Sequence, residues 1–223
     1  SAVEHVAALG LEWMETDLRL TADGIVVLSH DEDLRRTAGD PRTVGEVMWA
    51  ELADLDSGDG RGFVRLDDAL HAHPTMRFNV DLKDSSVVQA ALQTVRDAEA
   101  LDRVRFASFS ARRLAVLRRQ EPRATTSLGV SDVLGLMLRS EAAVPLPQTR
   151  WGWTRGKVDA VQVPESYHGV PVVTRRFVAA AHTAGLEVHV WTVDEPDQMR
   201  RLAELNVDAI MTDVPTLALQ ILG

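Results

Sequence analysis

Seven short apolar, β-branched runs alternating with helical patterns place this chain of 223 residues in the α/β class, as a TIM (β/α)8 barrel. Three of its strand-like segments end in polar side chains at alternate positions, where ligand-binding and catalytic groups of a parallel barrel sit. The length, with a hydrophobic content of 45%, suffices for a full core. A single domain over residues 1–223 is therefore expected.

The chain opens on a helix whose apolar stripe Val3, Val6, Ala7 and Leu9 stops at Gly10. Trp13 to Asp17 follows as a strand with Glu15 and Asp17 on one face. Thr21-Ala22-Asp23-Gly24 has a turn composition, and Ile25 to Leu28 returns as a hairpin partner ending at His30. Asp33 to Asp67 reads as loop-rich, with short helical pieces near Gly45–Leu55 and Leu66–His71. Strand Arg77–Leu82 carries Asn79 and Asp81 at alternate positions, continued by Lys83, and leads to a helix near Ser86–Glu99. In that helix Val88, Ala91, Leu92 and Val95 share a face.

Regular units then repeat. Strand Val104–Phe109 leads to helix Ala111–Gln120, and strand Ala124–Leu128 to a helix near Asp132–Leu138. A Pro- and Trp-containing loop, Val144 to Lys157, precedes strand Ala160–Val163. Thr174 is the expected N-cap of helix Thr174–Ala184, which ends before Gly185, and strand Glu187–Val193 follows. The next helix starts at Asp194 and tolerates Pro196 in its first turn. Strand Ala209–Met211 and a last helix from Pro215 complete the chain. A closed barrel needs eight strands where seven alternate with helices here, and since the chain opens on a helix, the strand expected to be missing is the first.

Placed side by side, the three polar segments bring Glu15, Asp17 and Asp81 together with His30 and Lys83. Three carboxylates within about 4 Å of one another repel by roughly 4 kcal/mol per pair at an effective dielectric near 20, more than one Lys83 neutralises. A divalent cation is implied. With oxygen donors and no cysteine in the chain, Mg²⁺ or Ca²⁺ suits the site better than zinc or copper. Each fragment alone reads more simply as a solvated strand end; the three together carry the inference.

Composition excludes several classes. The net charge of -9, from 33 acidic against 24 basic residues, argues against a general nucleic-acid or anionic-membrane surface. No apolar run approaches the roughly 18 residues of a membrane span, so no stable membrane insertion is expected. Ser1 to Gly10 lacks a signal-peptide pattern, but a signal upstream of Ser1 would not be seen in it; the expected location is cytoplasmic, with secretion as the alternative. Outside the acidic cluster, Trp191 ends a strand at the catalytic rim, against the simpler reading of a packed core tryptophan. His189, two residues earlier, is a candidate for the same face. His71, His73 and His182 read as structural or solvated, Asp213 as an N-cap, and Trp151 and Trp153 as a rim cover or outer-surface residues.

Across nearly its whole length the chain resembles the glycerophosphodiester phosphodiesterase family. The resemblance rests on Glu15-Thr16-Asp17, Thr21-Ala22-Asp23-Gly24, His30-Asp31 with Leu34-Arg35-Arg36-Thr37, Asn79-Val80-Asp81-Leu82-Lys83, Ser108-Phe109, Val190-Trp191-Thr192-Val193 and Thr212-Asp213. It implies a TIM barrel that hydrolyses small glycerophosphodiesters such as glycerophosphocholine to glycerol 3-phosphate and an alcohol, using one divalent cation. By the same resemblance Glu15, Asp17 and Asp81 look like metal ligands and His30 like one of two proton-handling histidines. Lys83 would contact the phosphate, and Trp191 would wall the substrate pocket.

Two departures stand out. The third metal position, usually glutamate in the family, is Asp81, as in related sphingomyelinase-D-like enzymes. The family's His-Arg-Gly and Pro-Glu-Asn-Thr segments, which carry the other catalytic histidine, are not in this sequence, in agreement with the strand count. Two alternatives accompany this reading: a phospholipase D-like enzyme acting on lysophospholipids or sphingomyelin, and a catalytically silent barrel that binds a phosphorylated ligand.

Overall fold

The computed structural model describes residues 2–57, 62–141 and 157–223. It contains two compact units, Ser1–Ser108 and Phe109–Gly223. The first runs α1 (Ala2–Ala8), β1 (Trp13–Leu20), β2 (Val26–Leu28), α2 (Arg35–Ala38), α3 (Trp49–Ala53), β3 (Val64–Arg65), α4 (Leu66–Ala72), β4 (Arg77–Leu82), α5 (Val87–Asp97) and β5 (Val104–Ala107). Strand β1 pairs in parallel with β4, and β4 with β5, while β2 returns antiparallel along β1 and β3 along β2.

The return of β2 is built by the Thr21-Ala22-Asp23-Gly24 turn. Gly24 takes φ +82°, a conformation that costs glycine little. Thr21 Oγ1 donates to Asp23 Oδ1 at 2.6 Å and accepts the Ile25 N–H at 2.9 Å. Asp23 Oδ1 also accepts the Trp49 N–H at 2.9 Å, which ties the turn to the start of α3. The hairpin continues one residue beyond β2, because the Ser29 N–H donates to the Asp17 carbonyl at 2.9 Å. His30 is thereby delivered alongside β1.

Strand alternation decides which face carries chemistry. Met14, Leu18, Val80 and Leu82 are buried in the core, as are Val87, Val88, Ala91, Leu92 and Val95 of α5. The odd-numbered residues Glu15, Asp17, Asn79 and Asp81 therefore share the opposite face.

The second unit runs α6 (Ala111–Gln120), β6 (Thr125–Ser127), α7 (Val130–Glu141), β7 (Lys157–Val163), β8 (Ser166–Tyr167), β9 (Val170–Pro171), α8 (Arg175–Thr183), β10 (Glu187–Val190), α9 (Pro196–Glu204), β11 (Ala209–Ile210) and α10 (Pro215–Leu222). The order β6, β7, β10, β11 is parallel throughout, each crossover carrying a helix, which is the strand–helix repeat of a TIM barrel. Its core joins Val161 and Val163 of β7 and Val188 and Val190 of β10 to Phe177, Met199 and Leu202 of the helices.

Most boundaries agree with expectation. Thr174 caps α8 by accepting the Phe177 N–H at 3.1 Å. Helix α9, however, begins at Pro196 rather than Asp194, because the proline holds the preceding Glu195 in the extended region at φ -88°, ψ 130°; the Asp194 carboxylate is engaged elsewhere. Its Oδ1 accepts Thr212 Oγ1 and the Asp213 N–H, both at 2.9 Å. Asp213 is consequently no N-cap: Val214 occupies that position without a side-chain bond, and Thr212 Oγ1 accepts the Val214 N–H at 3.1 Å. The loop-rich stretch holds an additional short helix, α2. Trp151 and Trp153 lie outside the described residues. Among the described residues no helix is long and apolar enough to cross a membrane.

Candidate active site

The register between β1 and β4 sets Asp17 directly beside Asp81, and Glu15 beside Asn79. Lys83, two residues past Asp81, reaches back between the two aspartates. Its Nζ lies 2.7 Å from Asp17 Oδ1 and 3.0 Å from Asp81 Oδ2. Burial would push the Lys83 ammonium down, but the combined pull of Asp17 and Asp81 outweighs it and holds the group above the ordinary lysine value. Lys83 is thus a fixed cation seated between two carboxylates.

Glu15 stands one register step earlier on the same face and is exposed. Among the described residues no three His, Asp or Glu side chains are grouped closely enough to hold a metal ion as they stand. Lys83 occupies the space between two of the expected ligands. One observation nevertheless fits a cation. Asp81 is 8% exposed, and its Oδ1 is buried without a hydrogen-bond partner among the described residues, an arrangement that costs about 1–3 kcal/mol or more for a charged group unless something binds there. Asp81, Asp17 and Glu15 share one face and offer only oxygen donors, the kind a hard divalent ion takes, though not grouped closely enough to ligate one as they stand.

His30 lies just beyond β2 with its ring exposed. Its Nδ1 is 2.8 Å from Asp31 Oδ1, and Arg36 Nε donates to Asp31 Oδ2 at 2.6 Å. The Arg36 guanidinium first, then His30, hold the Asp31 carboxyl below its usual range. Arg19 Nη2 also donates to the His30 carbonyl at 3.2 Å. Reading by residue type passed over Arg19 and Arg36. The signal for Arg19 was available, since it extends the i, i+2 series from Glu15 and Asp17; Arg36 lies in α2, a helix of four residues, too short to show a period.

In the second unit Trp191 is half-buried and meets Phe109 edge-to-face, centroids 5.7 Å apart at 81°. Phe109 is itself 58% exposed, so the pair forms an accessible aromatic wall. His189 is buried, with Nε2 3.0 Å from Glu187 Oε2 and Nδ1 3.5 Å from Gln162 Nε2. Of the other histidines, His182 lies 2.8 Å from Asp208, and His71 Nδ1 lies 2.7 Å from the Asp67 carbonyl of its own helix.

Known proteins resemble this chain over nearly its whole length. A Mycobacterium tuberculosis protein named Probable glycerophosphodiester phosphodiesterase 2 is 36% identical over 214 residues, covering 95% of this chain and 80% of that relative. Two solved structures share the fold. The glycerophosphoryl diester phosphodiesterase domain of another Mycobacterium tuberculosis protein superposes with a TM-score of 0.79 at 21% identity, over 98% of this chain and 91% of that one. An Oleispira antarctica phosphodiesterase in complex with the product sn-glycerol-3-phosphate superposes with a TM-score of 0.77 at 18% identity, over 99% and 89% of the two chains. The model of the Glycerophosphoryl diester phosphodiesterase family matches residues 1–217. On the extent of that match and of the mycobacterial likeness, the chain belongs to the glycerophosphoryl diester phosphodiesterase family.

Proposed function

We propose that this protein hydrolyses small glycerophosphodiesters to glycerol 3-phosphate and an alcohol at the Asp17, Asp81 and Lys83 site. The observation that carries the proposal is the in-register pair Asp17 and Asp81, bridged by Lys83 and retaining a buried Asp81 Oδ1 with no partner among the described residues. Support also comes from the name of the mycobacterial relative and from the glycerol 3-phosphate bound by the Oleispira antarctica enzyme.

Glu15, Asp17 and Asp81 would hold one Mg²⁺ or Ca²⁺, which when bound polarises a phosphoryl oxygen and neutralises developing charge. Lys83 keeps its proton and presents a positive charge to the phosphate, stabilising the negative charge that accumulates as the bond to the leaving alcohol breaks. His30 exchanges a proton with the attacking hydroxyl, which is the glycerol 2-hydroxyl or a water, or with the departing alcohol.

A second reading has an observation behind it. The accessible Phe109 and Trp191 wall suits an acyl chain, and mouse and human relatives at 22% and 21% identity are named Lysophospholipase D. Both substrates can be presented to the purified protein with Mg²⁺ or Ca²⁺, then again after chelation. Cation-dependent release of glycerol 3-phosphate from glycerophosphocholine, faster than turnover of lysophosphatidylcholine, supports the proposal. Preference for the lysolipid transfers it to the second reading, and no turnover of either overturns both.

A further inference from the structure

His30 is joined to a chain of two further side chains whose chemistry allows one polarity only. Asp31 Oδ1 lies 2.8 Å from His30 Nδ1, and Asp31 Oδ2 accepts from Arg36 Nε at 2.6 Å. A carboxylate with no proton can only accept, and a guanidinium N–H can only donate. The proton between His30 and Asp31 therefore sits on Nδ1, and Nε2 keeps the lone pair. Ser29 Oγ on the Asp31 carbonyl at 3.2 Å and Arg19 Nη2 on the His30 carbonyl at 3.2 Å hold the backbone on either side of the pair.

We propose that Asp31 and Arg36 are positioning residues that fix His30 in the Nδ1–H tautomer, so that Nε2 is the nitrogen that exchanges protons with the substrate. The proposal rests on His30 being the proton-handling residue argued above. Arg36 acts through Asp31: by donating to Oδ2 it holds the carboxylate plane so that Oδ1 faces the imidazole. Neither residue touches the reacting atoms.

The polarity gives an unusual prediction for Asp31→Asn. The asparagine amide has one accepting and one donating end. Arg36, able only to donate, turns the amide oxygen toward itself, so the amide NH₂ faces His30 Nδ1. Nδ1 must then accept, and the ring proton moves to Nε2. Removal of Arg36 in the same protein frees the amide to rotate and present its oxygen to Nδ1 again. Asp31→Asn alone is thus more damaging than Asp31→Asn combined with Arg36→Ala.

The test reads the tautomer directly, by ¹⁵N NMR of the His30 imidazole above the pH at which the ring is neutral, with kcat and KM measured beside it. Wild-type protein is expected to show Nδ1–H. Asp31→Asn should show Nε2–H with kcat reduced by about 10- to 10⁴-fold, the range spanned by losing an outer hydrogen-bond partner and by a reversed tautomer, and KM little changed. The double variant should regain Nδ1–H and at least tenfold in kcat over Asp31→Asn. Wild-type protein with Nε2–H, or a double variant no better than Asp31→Asn, overturns the proposal. The NMR readout needs no substrate, so an inactive protein that nonetheless shows this tautomer pattern refutes the phosphodiesterase reading while leaving the Asp31 and Arg36 polarity intact.

Discussion

Replacing Lys83 by Met removes a charge while retaining most of the side-chain volume, and the structure predicts an unusual dependence on added cation. Its Nζ lies 2.7 Å from Asp17 and 3.0 Å from Asp81. At an effective dielectric near 20 each contact contributes about 6 kcal/mol of Coulomb attraction, much of it offset by desolvation of the three groups. Truncating one partner of a fully buried pair costs about 3–5 kcal/mol, because charge is left uncompensated. Here Lys83 retains 19% of its side-chain exposure and each aspartate 12%, so solvent screens part of the effect. A loss of about 2–3 kcal/mol follows for Lys83→Met in chelator, measured by urea denaturation.

Mg²⁺ or Ca²⁺ should then restore the variant more than it stabilises the wild type. In Lys83→Met the cation meets two aspartates with no competing ammonium. Binding at a hundred times the dissociation constant adds about 2.7 kcal/mol, enough to cancel the defect. If Lys83→Met is as stable as wild type in chelator, or if both proteins respond equally to the cation, the picture of Lys83 seated in the cation's place between Asp17 and Asp81 is refuted.

Three other outcomes are expected. His30→Ala should lower kcat by roughly 10²–10⁴, as loss of a general acid or base does, with urea stability within about 1 kcal/mol of wild type because the ring is 71% exposed; wild-type turnover would remove His30 from the mechanism. Gly129→Ala places a Cβ 2.5 Å from the N and Cα of Ala111, so backbone must move, and urea denaturation should show about 1–3 kcal/mol of destabilisation. The Asp31 carboxyl is held below its usual range by Arg36 and then His30, so its contribution to stability is present above the unfolded-state value near 3.8 and disappears as pH falls through the lower folded value. Asp31→Asn should accordingly lose less stability than wild type on acidification across that interval, and identical acid limbs in the two proteins would contradict the pairing.

The sequence revealed what depends on period and composition. Alternation alone put Glu15 and Asp17 on one face of β1 and Asn79 and Asp81 on one face of β4, and the observed register, Asp17 beside Asp81, follows from two parallel strands whose apolar residues must share a core. Thr174 and the Asp23-Gly24 turn were equally legible, because capping and left-handed backbone depend on local chemistry. The place of Lys83 between the aspartates was not, since it depends on how a long side chain resolves a local excess of charge. Nor was the engagement of Asp194, whose carboxylate accepts from Thr212 and Asp213 of another strand–helix unit, a contact that no local rule announces. Arg36 reaches Asp31 from the one-turn helix α2, which is too short to leave a period in the sequence.

The central claim is that Asp17, Asp81 and Lys83 form the phosphodiesterase centre. Glycerol 3-phosphate release from glycerophosphocholine by wild-type protein and by Asp81→Asn, each with and without chelator, tests it most directly. Asp81→Asn removes the charge of the buried Oδ1 while keeping nearly the same shape. Cation-dependent release by the wild type and a loss of about 10²–10³-fold in Asp81→Asn are predicted. Equal turnover by the two proteins, or wild-type turnover indifferent to chelation, would contradict the account.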